Sequence, residues 1–476
     1  MADFTLATAT GGETVIGQGA VDELAASLQG DLLIADSPGY DEARALWNGM
    51  IDKRPGLIAR CATANDVVRA VKFARDEGLL IAIRGAGHNI AGNAVCDDGL
   101  VIDLSQMKSV EVDEAGRTAR VGPGATLGDF DQAVQAHGLA TPTGINSTTG
   151  IAGLTLGGGF GWLSRKHGLT IDNLISADVV LASGELVKAS ETENADLFWG
   201  IRGGGGNFGI VTAFEFKLHE LGPEVLAGLV VHPFKDASKV LRGYREFVSG
   251  APDELTCWVI LRKAPPLPFL PEEVHGTEVL VLAVLYAGGI EEGKRALKDL
   301  RELGDPIADA VAPHNYAEFQ AAFDPLLTPG ARNYWKSHDF TELSDAAIDV
   351  FIEYAGKLPT PQCELFLAQL GGAIGRVAPD ATAYTHRDAE FVLNVHARWE
   401  DPAQDGECLA WAREVFNKTA PFATGGVYVN FMPNDEMDRV AAAYGVNYER
   451  LVELKDKYDP SNMFRLNQNI RPSVSA

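Results

Sequence analysis

The segment Ile81–Met107, IAIRGAGHNIAGNAVCDDGLVIDLSQM, constrains the fold of this chain more than any other. It sets a histidine, His88, in a glycine-rich loop between two apolar runs, Leu79–Ile83 and Leu100–Leu104, that read as short strands. Gly85, Gly87 and Gly92 let the backbone turn sharply and expose its N–H groups, a geometry that suits a bound pyrophosphate. Two more glycine clusters follow. Thr143–Gly161, TGINSTTGIAGLTLGGGFG, holds seven glycines and no charged residue. It reads as a backbone wall packed against a flat ligand rather than as a solvated linker. Arg202–Leu218, RGGGGNFGIVTAFEFKL, is a glycine loop that runs into an alternating strand.

The elements around these loops predict an α+β fold. Thr63–Gly78 carries a helical stripe of Val67, Val68, Val71 and Phe73–Ala74, with Thr63 or Asn65 as cap and Gly78 as stop. Val110–Val112 and Ala119–Val121 alternate like a hairpin, Ala125–Ala136 reads as a helix and Leu174–Leu181 as a strand. After Leu221-Gly222-Pro223 glycine density falls. Val279–Tyr286 and Ala389–Trp399 then read as strands, and Ile290–Leu303 as a helix. In FVLNVHARWE, Phe391, Leu393, Val395 and Trp399 take one face, while Asn394, His396 and Arg398 take the other. That pattern expects a sheet backed by helices on one side and facing something polar on the other. Glycine returns at Gly425–Gly426, and Tyr448–Tyr458 closes the chain as a helix. The division expected is 1–222, 223–424, and 425–476 returning to the first part.

Composition narrows the function classes. A length of 476 residues exceeds one ordinary core. Lys+Arg 40 against Asp+Glu 65 gives a formal charge of −25, which repels nucleic acid and anionic membranes. The five cysteines stand singly, with no CxxC, so neither a disulfide framework nor a metal site is expected. The opening residues lack the basic and apolar regions of a signal peptide, and no run of about 18 apolar residues occurs. A cytoplasmic location is the expectation. GGGNFG, Gly204–Gly209, matches the dinucleotide fingerprint, but a strand rather than a helix should follow it. GGIEEGK, Gly288–Lys294, lacks the Ser or Thr of a phosphate loop. Neither a G-x-S-x-G elbow nor an H-E-x-x-H motif is present.

Five segments, in order along nearly the whole chain, resemble the FAD-linked oxidases of the vanillyl-alcohol-oxidase/p-cresol-methylhydroxylase superfamily, in its berberine-bridge-enzyme-like branch. They are RGAGHNIAG, the block Gly153–Leu174, GGGGNFGIVTAFEF, GGVYVNF at Gly425–Phe431, and YDPSNMFRLNQNI at Tyr458–Ile470. The resemblance implies a two-domain FAD-binding fold of the PCMH type, with an antiparallel-sheet substrate domain closing over the flavin. It implies that FAD is held by Arg84, Gly85, Ala86, Gly87, His88, Asn89 and Gly92. The glycine wall would add Asn146, Thr148, Thr149, Gly150, Gly153, Gly158, Gly159 and Gly161. Asn207, Gly209, Ile210 and Val211 would come from the next loop, and Asn467 and Gln468 from the tail. His88 occupies the place of the histidine that bonds the flavin ring. Asn146 stands where doubly linked relatives carry cysteine, so a single histidyl link is expected, without a second cysteinyl one.

The implied reaction takes hydride from a C–H next to O or N of a small organic substrate (an alcohol, amine, phenolic or sugar-like compound), with O2 reoxidising the flavin to give H2O2. Thr149 occupies a position that in relatives gates oxygen, which favours an oxidase over a dehydrogenase with another acceptor. GGVYVNF alternates, which puts Tyr428 and Asn430 on one strand face and Val427, Val429 and Phe431 on the other. Tyr428 is the expected base, assisted by Asn430. An ordinary tyrosine titrates near 10, so the site should lower it. Tyr334, Gln369, Asn394 and His396 are the substrate-facing candidates. The sequence leaves the oligomeric state open.

Overall fold

A computed structural model describes residues 3–473. Three sheets organise it. The first has the strand order Asp31–Leu33, Leu57–Arg60, Leu100–Asp103, Ile81–Arg84; the last three strands run parallel and the first is antiparallel. Parallel neighbours need a crossover, and the helix Ala64–Asp76 supplies it. Thr63 accepts from the Asp66 N–H while the Asp66 carboxylate receives the Thr63 N–H, and Val67, Ala70, Val71 and Ala74 bury the inner stripe. Gly78, at φ +66°, turns the chain out of the helix. The strand Ile81–Arg84 follows and delivers the His88 loop at its C-terminal end.

The second sheet is antiparallel, in the order Leu186–Ser190, Leu174–Val180, Ile210–Lys217, Thr118–Val121, Val110–Asp113. GGGNFG therefore leads into a strand, as read from the sequence. The third and largest sheet follows the order Ala308–Asp309, Glu224–Pro233, Glu278–Tyr286, Leu255–Lys263, Glu364–Gln369, Phe391–Trp399, Arg332–Phe340, with Ala312–Asn315 also paired to Glu224–Pro233. Helices Ala237–Val248, Asp345–Ala355 and Asp405–Thr419 cover one face through Phe391, Leu393, Val395, Ala397 and Trp399. The other face packs Trp258, Ala283, Ala368 and Val392 against Trp162, Leu169 and Tyr428. The last segment packs Val427, Val429, Met432, Val440 and Leu451 against Phe214 and Phe216 of the second sheet. The fold is α+β, with an antiparallel sheet backed by helices, as expected.

Three local expectations change. The helix expected over 290–303 divides at Leu297 into Ile290–Ala296 and Lys298–Arg301, and both Leu297 and Leu300 are buried. GGVYVNF is not a strand: Val429–Phe431 is a 3-10 turn closed by Phe431 N–H on the Tyr428 carbonyl at 2.9 Å, and the segment pairs with no strand. Within the glycine wall, Ile151–Leu156 coils into a short helix that starts at Gly150. Among the described residues, no helix is long and apolar enough to cross a membrane.

Candidate active site

A cavity of about 360 Å³ lies where the His88 loop, the glycine wall, the second glycine loop, the large sheet and the C-terminal segment meet. Gly85, Ala86, Gly87, His88 and Asn89 line it from the first loop, and Asn146, Thr149, Gly150 and Gly153 from the wall. Gly209 contributes from the end of the second loop, Ile210 and Val211 from the strand that follows it, and Asn467 and Gln468 from the tail. Tyr428, Asn430, Asn394 and His396 line the same cavity. Thr148 joins through His88, whose Nε2 lies 3.0 Å from its hydroxyl.

The remaining site candidates have structural partners instead. The Arg84 guanidinium turns to Asp103 at 3.4 Å and the Ala45 carbonyl at 3.2 Å. A Cβ on Gly92 would sit 2.8 Å from Ile51, and one on Gly161 only 1.7 Å from the Thr143 carbonyl oxygen, so these glycines serve close packing. Gly158 lies against Tyr384, and Gly159 packs on Thr170 while donating its N–H to the Tyr428 hydroxyl at 3.1 Å. Asn207 is a clasp: its amide donates to the Gly204 and Gln468 carbonyls and accepts from the Ile470 N–H.

Tyr334 and Gln369 are corrected by strand parity. Residues alternate faces, and both fall on the helix-covered face. Tyr334 donates to Asp435 at 2.7 Å, and the Gln369 carbonyl oxygen accepts from the Cys257 N–H at 3.0 Å. Their neighbours on the opposite parity, Trp335, Glu364 and Phe366, line the cavity. The register could have found them, because Trp335 and Glu364 both pair with His396, and Phe366 pairs with Asn394. Trp47, Trp258 and Phe160 also line it and carry no such signal.

His88 stacks on Trp47 with ring centroids 5.1 Å apart, and its Nδ1 lies 3.4 Å from the Thr149 hydroxyl. Burial pushes the imidazole down to about 3, so the ring is neutral near pH 7. The 3-10 turn brings Tyr428 and Asn430 together by a route other than strand alternation: the Asn430 amide donates to the tyrosine hydroxyl at 3.0 Å. The same turn sends Phe431 into the cavity, edge-on to Tyr428 at 4.9 Å, rather than into the core. Burial raises Tyr428 to about 12 despite the two donors Asn430 and Gly159, which corrects the expectation of a lowered value. His396 places Nδ1 3.2 Å from Glu364 and Nε2 3.2 Å from the Asn333 amide oxygen. Burial lowers its pKa. Burial would raise Glu364, but Arg262 at 2.9 Å together with His396 and Arg398 hold it below the usual range.

Residues 55–190 match the family described as FAD binding domain, and residues 427–471 match Berberine and berberine like. The chain is 33% identical to an FAD-linked oxidoreductase of Dictyostelium discoideum, over 95% of this chain and 97% of that protein. It is 33% identical to (R)-6-hydroxynicotine oxidase of Paenarthrobacter nicotinovorans, over 94% of this chain and 98% of that one. This chain belongs to the berberine-bridge-enzyme-like family of FAD-linked oxidoreductases. Its fold superposes on crystalline 6-hydroxy-D-nicotine oxidase of Arthrobacter nicotinovorans with a TM-score of 0.85 at 31% identity, covering 94% of this chain and 99% of the other.

The cavity of this family member fits FAD. Gly153 and Gly206 line it, and a Cβ on either would meet nothing within 4 Å, so the bare backbone leaves the room that a flat group needs. Asn93 Nδ2 and Asn467 Oδ1 are buried in its lining without hydrogen-bond partners, a donor and an acceptor that a polar cofactor satisfies. None of the five cysteines lines the cavity; Cys96 is buried beside it in sequence, its thiol raised to about 12 by burial. Among the described residues, no cluster of three or more His, Cys, Asp or Glu could hold a metal.

Proposed function

We propose that the chain is an FAD-dependent oxidase acting on a small organic substrate, with FAD held by one covalent link to His88. One observation carries this reading: the His88 loop, the Tyr428–Asn430 pair and the His396–Asn394 strand all face one cavity. Bound there, FAD supplies the acceptor for a hydride from a C–H next to O or N and the two-electron route to O2, which leaves as H2O2. His88, kept neutral by burial, presents a ring-nitrogen lone pair as the nucleophile for the link. The absence of cysteine from the cavity lining supports a single attachment. Exposed N–H groups of Gly85–His88 suit the pyrophosphate.

Tyr428 takes the proton from the neighbouring O–H or N–H as the hydride departs. Its hydroxyl already accepts from Asn430 and Gly159, which are placed to hold the charge that develops on oxygen. His396 is the second candidate base. As a neutral ring donating to Glu364 it has one lone pair left, and a proton gained at Nε2 would be held by Asn333 Oδ1. The related 6-hydroxynicotine oxidase supports an oxidase over a dehydrogenase. Thr149, a small side chain in the lining, would leave oxygen access to a bound flavin. The same reading divides the chain at residues 222 and 424.

The test is air reoxidation of anaerobically photoreduced enzyme. The oxidase reading expects rapid return of the oxidised spectrum with one H2O2 per flavin. Enzyme that stays reduced in air and is reoxidised only by an added quinone would make it a dehydrogenase.

A further inference from the structure

The large-sheet side of the cavity carries two cross-strand rows on one face. Trp335, His396 and Glu364 form one; Ser337, Asn394 and Phe366 form the other. Aromatic edges close around them. Trp335 meets Phe431 at 5.4 Å, Phe431 meets Phe160 at 5.9 Å, and Phe160 meets Tyr428 at 5.0 Å and Trp258 at 6.2 Å. Trp258 in turn meets Phe366 at 5.3 Å. The pairs are T-shaped, so ring edges and faces are both offered inward to a flat guest.

Unpaired charge is absent where such a guest would sit. Among the described residues, Glu364 is the sole charged side chain in the cavity lining, and both its oxygens are taken, one by His396 at 3.2 Å and one by Arg262 at 2.9 Å. Among the described residues, no lysine or arginine lines the cavity. An anionic guest would gain no opposite charge for its lost hydration, and a cationic one would meet only a carboxylate already paired with Arg262.

One acceptor is left over on this side of the cavity; the Nε1 groups of Trp258 and Trp335, also buried in the lining without partners, can only donate. Asn394 is buried, lines the cavity, and its Oδ1 has no hydrogen-bond partner. Phe366 beside it has no polar atom, and Ser337 on its other side makes no bond to it. A buried acceptor without a donor is costly, and a guest that brings an O–H or N–H removes the cost. A polyol would bring more hydroxyls than Asn394 and the two indole N–H groups can match.

We propose that the substrate is an uncharged compound of one or two rings, largely apolar, whose hydroxyl or N–H donates to Asn394 Oδ1. This rests on the oxidase reading above and adds a substrate class to it. The test is titration of oxidised holoenzyme at pH 7 with phenol, toluene, benzylamine, benzoate and cellobiose, read as perturbation of the flavin absorbance. Phenol should bind about tenfold more tightly than toluene, the range of one hydrogen bond. Benzylamine, benzoate and cellobiose should not perturb the spectrum at concentrations that saturate with phenol. Asn394→Ala should bring phenol to the affinity of toluene and leave toluene unchanged. Equal binding of phenol and toluene to the wild type would overturn the proposal, as would tighter binding of cellobiose or of either ion; these comparisons hold even if Asn394→Ala does not fold. Because the readout needs no turnover, failure of the reoxidation experiment would remove the oxidase reading and leave this selectivity standing.

Discussion

The hydroxyl of Tyr428 sits between two N–H donors in a buried aromatic setting, and burial still holds its pKa near 12. A base of that pKa is ionised only in trace near neutrality, so the rate of anaerobic flavin reduction should climb about tenfold per pH unit from neutrality upward until the pH nears about 12. Tyr428→Phe should keep FAD and slow that step about a hundredfold or more, and near wild-type reduction in the variant would pass the role to His396. Asp131 gives a pH prediction of another kind. Burial raises it to about 7, partly offset by donors from Gln320 and Thr143. The folded state thus holds a proton that an unfolded aspartate releases near 3.9, so this contribution to stability is present at low pH and is lost as pH rises from about 4 to about 7. Denaturation at pH 4.5, 6 and 8 should show wild type losing stability relative to Asp131→Asn across that window and no further change above it. A constant difference would contradict the assignment. Asn394 and His396 were legible in the sequence because alternation is simple within one strand. Tyr334 and Gln369 were not placed correctly, because the face of an isolated strand residue depends on a register that only the assembled sheet fixes.

Element by element, capping and periodicity carried far. Thr63 or Asn65 as cap and the apolar stripe located the helix Ala64–Asp76, which Thr63 caps in a box with Asp66, and Tyr448–Tyr458 has the limits read from its sequence. GGVYVNF misled, because alternation of side chains does not distinguish a strand from a 3-10 turn when no partner strand is in reach. The returning segment is held by a device with no sequence signal. Lys455, fully buried, donates to Asp459 at 2.7 Å and to the Asn207 and Phe464 carbonyls at 2.8 and 2.9 Å. Lys455→Met leaves Asp459 buried without its cation, and should lower unfolding stability by about 3 kcal/mol or more in denaturant titration. A loss under about 1 kcal/mol would mean that the tail is held by its apolar contacts alone.

For the whole molecule, the glycine loops of one half and the polar row of the large sheet are far apart in sequence and meet at one cavity. Glycine clustering announced the cofactor side of it, since bare backbone is a local feature. The aromatic side was hidden, because Trp47, Phe160, Trp258 and Trp335 come from separate segments and gather only through packing. The central claim is that this cavity holds FAD bonded to His88. Acid precipitation of the purified protein, followed by peptide mass mapping, tests it most directly. The yellow colour should stay with the precipitate, and the flavin mass should fall on the peptide that contains His88, with none on those that contain Asn146 or Cys96. Release of all the flavin into the supernatant would contradict the claim.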